Sequence, residues 1–174
     1  MTTVIYQKFV FRSDLQANPA ALYLFGDNTI RVGYGGQAKE MRDEPNAVGV
    51  ATKRAPGRQD KDYFSDDTFE ENCSIIDTDI LPAFVHVALR GTLIIPADGL
   101  GTGLSELPQR APRTNAYLEA WLTRLLNPLD HAAHSVFERF INSRHESHVR
   151  EPVKTAMELV ANTVIIPELR EQCA

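Results

Sequence analysis

The chain has 174 residues, 43% hydrophobic, 24% charged and 8% aromatic, which is ordinary globular composition and a length that matches about one domain. A chain of this size can bury a core without disulfide or metal staples, so stapled mini-protein scaffolds are excluded. Its 18 basic and 23 acidic residues leave a net charge of -5, which disfavours a polyanionic backbone, and hence nucleic acid, as the main partner.

No stretch approaches the roughly 20 apolar residues that a spanning helix requires, so no membrane partner is expected. The opening MTTVIYQKF lacks a basic region followed by an apolar run and a small-residue cleavage site, and the two cysteines, Cys73 and Cys173, form no framework of bridges. A cytoplasmic location is the expectation.

Val4 to Phe11 and Ala21 to Phe25 are short and rich in β-branched or aromatic residues, and both read as strands. After Phe25 come Gly26-Asp27-Asn28, the glycines Gly33, Gly35 and Gly36, and then Gln37 to Arg42, a run of good helix formers. Asn46 to Thr52 reads as a third buried strand, and Lys53 to Asp67 as a long polar loop. Ser74 to Leu89 carries apolar residues on one helical face, and Pro82 places the start of that helix near Asp79. Thr92 to Pro96 is a fourth strand, and it leads into a second glycine loop, Asp98-Gly99-Leu100-Gly101-Thr102-Gly103. Pro112 opens the next helix, which runs to Leu126.

From Asn127 onward glycine disappears, and helical patterns cover Ala132 to Asn142 and Val153 to Ala161. Val164 to Pro167 reads equally well as a strand or as the end of a helix. The chain therefore divides into an α/β domain at 1–126, with a mostly parallel sheet flanked by helices, and an α-helical extension at 127–174. The extension carries apolar stripes at helical spacing, Phe137 with Phe140 and Ile141, and Val153 with Met157 and Val160. These must pack on the domain or on a second subunit, and a homodimer through 127–174 is the favoured expectation.

The glycine loops carry the functional expectation. Glycine lets the main chain approach a ligand closely, and a loop that ends at a helix start offers free N–H groups and a helix dipole to a phosphate. In a parallel sheet both loops project from the carboxyl edge, where they can grip one diphosphate. Neither loop has the Walker A ending or the dinucleotide-fingerprint spacing, which weakens kinase-like and dehydrogenase readings.

Phe25 to Asn28 with Gly33 to Ala38, and Leu93 to Pro96 with Gly99 to Leu104, resemble the corresponding segments of macrodomains, a family that binds ADP-ribose and in many members hydrolyses its links. The resemblance covers about residues 20–126. It implies a macrodomain-like α/β fold, ADP-ribose or a related NAD-derived nucleotide as ligand, and ADP-ribosyl hydrolysis as an activity. Asn28 is then the ligand-facing asparagine. Where many hydrolytic macrodomains have an aspartate after the glycine run, this chain has Gln37-Ala38-Lys39, so no catalytic carboxylate carries over there.

Asn28 and Asp98 are accordingly the candidate catalytic residues, Asn28 orienting a ribose and Asp98 a water. Asp27, Asn28, Gly33, Gly35, Gly36, Gln37, Lys53, Gly99, Leu100, Gly101, Thr102 and Gly103 are the candidate ligand-binding residues. Turn chemistry is the alternative for Asp27, Asn28 and Asp98. Lys39 and Arg42 read as a solvated helix face, and Tyr63 and Phe64 as rings that pin their loop to the core. Of the histidines, His131 with His134 and His145 with His148 are spaced by three, but no cysteine or carboxylate motif accompanies them, so no metal is expected. No cofactor is implied. The alternatives are a non-catalytic protein that binds or sequesters such a nucleotide, and an oligomeric protein-interaction module.

Overall fold

The computed structural model describes residues 3–142 and 150–173. Four strands, β1 (Thr3–Gln7), β2 (Leu22–Asn28), β3 (Ala47–Lys53) and β4 (Thr92–Pro96), form an all-parallel sheet in the order β1-β4-β2-β3. The helices are α1 (Arg12–Ala17), α2 (Ala38–Met41), α3 (Phe69–Ala88), α4 (Leu107–Arg110), α5 (Pro112–Leu126), α6 (His131–Asn142), α7 (Arg150–Val160) and α8 (Ile166–Gln172). The chain is thus α/β, with a parallel sheet flanked by helices and a C-terminal helical extension. Among the described residues no helix is long and apolar enough to cross a membrane.

The inner strands are apolar on both faces, as a parallel sheet covered on both sides requires. Leu24, Val50, Leu93 and Ile95 face a large core built with α3 and α5. Tyr23, Phe25 and Ile94 face a smaller one with Leu15 of α1 and Ala38 and Met41 of α2. The outer edge of β3 is closed by side chains: the Ala51 N–H donates to Asp79 Oδ2 (2.8 Å), the Gly49 carbonyl accepts from Arg31 Nη1 (3.2 Å), and Arg31 is paired with Asp79. Satisfying an edge in this way leaves it no template for a further strand.

Three expectations from the sequence are corrected, and one open alternative, the third below, is resolved. The first strand ends at Gln7 rather than Phe11, because Gln7 Nε2 donates to the Phe9 carbonyl (2.7 Å) and Asp14 Oδ2 (2.9 Å), and the same carboxylate accepts the Phe11 N–H (2.9 Å). That turn starts α1, which periodicity did not announce. The long helix begins at Phe69, ten residues before Asp79. Pro82 lies inside it on an exposed surface, where water can take up the freed carbonyl, while Phe69, Cys73, Ile76, Ile80, Phe84 and Val87 bury a continuous face. Val164 to Pro167 is helical, with a π-helical turn at Ala161–Ile165 running into α8.

Fourth, the apolar stripe of the extension is buried within the chain. Met157, Val160, Ala161, Ile165 and Leu169 join the same core as α3 and α5, and Phe137 packs against it. The stripe of α7 that helped to motivate a homodimer through 127–174 is therefore spent on the α/β unit itself. A buried polar cluster fastens this packing: Asp77 of α3 accepts from Trp121 Nε1 (2.8 Å), from Arg170 Nη2 (2.6 Å) and from the Tyr117 hydroxyl. Burial and the Asp77 carboxylate push the Tyr117 pKa up, and burial pushes the neighbouring Cys73 thiol up to about 12.

Candidate functional site

Strands β2 and β4 pair only over Leu22–Leu93 and Tyr23–Ile94, whereas β2 stays paired with β3 through Asn28–Lys53 and β1 with β4 through Gln7–Pro96. The two central strands thus part before their carboxyl ends, and a crevice opens between them, the place where open α/β sheets bind ligands. Gln37 spans it. The Gly26 N–H, which has lost its place in the ladder, donates to Gln37 Oε1 (2.9 Å), and Gln37 Nε2 donates to the Gly99 carbonyl (3.1 Å). A Cβ on Gly26 would meet the Gly101 nitrogen at 3.3 Å, so glycine is what lets the two loops approach.

The result is a cleft of about 280 Å³, just below the roughly 300–1,000 Å³ usual for small-molecule sites. Of the candidate residues, Asp27, Asn28, Gly33, Gly35, Gly36, Gln37, Lys53, Asp98, Gly101, Thr102 and Gly103 line it together. Gly99 and Leu100 do not. Gly99 supplies a positive φ of 79° for the turn, and Leu100 is fully buried in the core.

Several candidates are already engaged by the protein. Asn28 Nδ2 donates to the Val32 carbonyl (2.8 Å) and holds the turn that launches the first glycine loop. Asp27 accepts from Arg42 in a buried two-pronged pair, caps the Asn28 N–H (2.7 Å) and lies 3.5 Å from Arg31. Gly49 makes room for that carboxylate, since a Cβ there would sit 2.5 Å from Asp27 Oδ2. Arg42 is the main residue that sequence reasoning misplaced. It is 8% exposed, lines the cleft and donates to the Gly33 carbonyl (2.8 Å), while Lys39 is exposed as expected. Nothing in the local pattern distinguishes the two cations, because the Asp27 that selects Arg42 lies on a different element.

Other groups remain available to a ligand. The backbone N–H groups of Gly101, Thr102, Gly103, Leu104 and Ser105 make no hydrogen bond to the described protein, and all five residues line the cleft. Asp98 is exposed on the cleft lining and has no ion-pair partner among the described residues. Ser105 Oγ lies 2.7 Å from Thr52 Oγ1 on the lining. The expected helix dipoles contribute little, since α2 and α4, the helices that follow the loops, have four residues each.

Tyr63 and Phe64 are buried and pin the polar loop, as their composition predicts. His131 and His134 are exposed on α6, His145 and His148 lie outside the described residues, and among the described residues no three metal-ligating side chains gather. The rim of the cleft carries Val32, Tyr34 and Leu104, all exposed. Leu104 reaches from the second loop to the first, its Cδ1 lying 3.1 Å from where a Cβ on Gly35 would stand.

Comparison with known proteins adds a family and no activity. No curated protein and no solved structure matches the chain. Residues 5–121 match a family of unknown function, DUF7831, and this span contains all four strands except the start of β1, together with both glycine loops. The chain belongs to the DUF7831 family.

Proposed function

We propose that the cleft binds ADP-ribose or a related NAD-derived nucleotide, with the diphosphate lying between the two glycine loops. The observation that carries this reading is the convergence of both loops, from adjacent strand ends, on one cleft with unengaged N–H groups. Backbone donors and glycines suit a phosphate chain, because they approach it closely and aim N–H dipoles at its oxygens. A ligand of dinucleotide size exceeds the cleft, and its remaining part would lie over the exposed rim at Val32 and Tyr34. The likeness of the loops to macrodomain segments supports the same ligand class.

Hydrolysis of an ADP-ribosyl link is the second reading, and it rests on Asp98. An exposed carboxylate on the cleft lining, without an ion pair among the described residues, can accept a proton from an attacking water. In this reading the loops position the ribose and Asp98 supplies the base. Binding without turnover is the alternative, and an assay on an ADP-ribosylated peptide separates the two: Asp98→Asn should abolish turnover with little change in affinity.

Calorimetric titration with ADP-ribose, ADP and NAD tests the binding reading. Gly103 is the position for the accompanying variant, since a Cβ there meets nothing within 4 Å. Gly103→Val should fold normally and weaken ADP-ribose binding by about tenfold or more, as the branched side chain fills space the phosphate needs. Unchanged affinity in that variant, or no binding by the wild type, refutes the reading.

A further inference from the structure

Lys53 ends β3 on the cleft lining and is 6% exposed. Its ammonium donates to the Leu104 carbonyl (3.1 Å) and lies 3.8 Å from the centre of the Tyr63 ring, whose ring also carries the Arg110 guanidinium at 3.7 Å. Among the described residues no carboxylate oxygen lies within 4.0 Å of it. Asp27, the buried carboxylate of the same cleft, is matched by Arg42 and Arg31. Lys53 is thus a buried cation without a counter-charge in a cleft whose other buried charges are paired.

Burying an ammonium is costly unless it is paired, and one carbonyl with a ring face compensates only part of the loss. An ammonium has three donors, and the protein engages one of them. The carbonyl it holds belongs to Leu104, next to the unengaged N–H groups of the second glycine loop. A lysine in this setting offers a point charge to phosphate oxygens beside amide donors that complete the shell.

We propose that Lys53 is the charge-reading group of the cleft: its ammonium binds the anionic phosphate oxygens of the ligand, together with the free amides of Gly101 to Ser105. This rests on the nucleotide reading for the identity of the ligand, but the anion site stands apart from the base and the riboses. Tyr63 is a positioning residue, holding the ammonium at the lining through its ring face.

The test titrates wild type, Lys53→Met and Lys53→Arg with ADP-ribose, inorganic pyrophosphate and adenosine, and records a thermal melt of each. Lys53→Met keeps the apolar stem and should lose at least tenfold in affinity for both phosphate ligands, with adenosine unchanged, while its Tm equals or exceeds that of the wild type. Lys53→Arg should retain binding within about threefold. Lys53→Met binding both phosphate ligands as tightly as wild type overturns the assignment and leaves the nucleotide reading standing. A variant that unfolds or melts well below wild type also overturns it, because that result makes Lys53 a structural group. Lys53-dependent binding of pyrophosphate without any preference for ADP-ribose supports the anion site and overturns the nucleotide reading. Wild type that binds neither overturns both.

Discussion

The molecule holds two buried charged clusters, and their charges are matched differently. Behind α3, Asp77 meets Tyr117, Trp121 and Arg170, so the carboxylate has a full set of donors and a counter-charge. At the cleft, Asp27 is paired just as fully, yet Lys53 on the same lining has no counter-charge among the described residues. Removing a member of the first cluster leaves a buried charge uncompensated, whereas removing Lys53 takes away a charge that already lacks a partner. A saturated cluster holds helices together. An unsaturated one at a cleft is held ready for something outside the chain.

The largest expected effect breaks the saturated side. Asp77→Ala leaves Arg170 without its buried partner and strips Tyr117 and Trp121 of their acceptor, and should cost about 3 kcal/mol or more in urea unfolding. Because the cluster lies away from the loops, ligand affinity of the folded fraction should be unchanged. A loss of affinity together with normal stability would show that the two clusters are not separate.

Gly49→Ala attacks the paired half of the cleft. The new Cβ would sit 2.5 Å from Asp27 Oδ2 and 2.9 Å from Phe25 Cζ, and displacing both should cost about 1–3 kcal/mol. Since Asp27 holds Arg42, and Arg42 holds the Gly33 carbonyl, this variant should also weaken binding. Retained stability and affinity would mean that the seat of Asp27 is not needed.

Gln37→Ala removes the amide that spans the parted strands. It should cost about 1–2 kcal/mol, the price of leaving the Gly26 N–H and the Gly99 carbonyl to water. Hydrogen exchange at Gly26 should rise, and ligand affinity should fall through loosened loops rather than lost contact. Gln37→Glu is the harsher variant, because it keeps the acceptor for Gly26 but sets a charged oxygen against the Gly99 carbonyl and the phosphate, and it should bind more weakly than Gln37→Ala.

The smallest effect is a pH dependence of the saturated cluster. The Tyr117 hydroxyl has its pKa raised above the ordinary 10.0, mainly by burial and then by Asp77. The native state therefore keeps a proton that the unfolded chain releases, so this contribution is complete below pH 10 and is lost as pH climbs toward the native value. Between pH 9 and 11 wild type should lose stability more steeply than Tyr117→Phe, which itself is less stable by about 1 kcal/mol at neutral pH. Parallel slopes in chemical denaturation would remove Tyr117 as the source.

Local pattern carried the strands at β2, β3 and β4, the helix from Pro112, and both glycine loops, because each depends on periodicity or on backbone freedom that neighbouring residues encode. It also marked most of the residues that line the cleft. What it could not carry are relations between distant positions. Pro82 looked like a helix stop until the buried face of a 20-residue helix outweighed it. Arg42 looked like a solvated cation until Asp27, fifteen residues earlier, selected it. Gln37 lines the cleft as the loop pattern suggested, but its structural task of spanning the parted strands β2 and β4 was not visible in that pattern. The apolar stripes of the extension required a partner surface but did not say which, and α3 and α5 supplied it. Backbone propensity acts within a few residues, whereas charge pairing and burial compare groups that only the packed chain brings together, and those comparisons decided the rest.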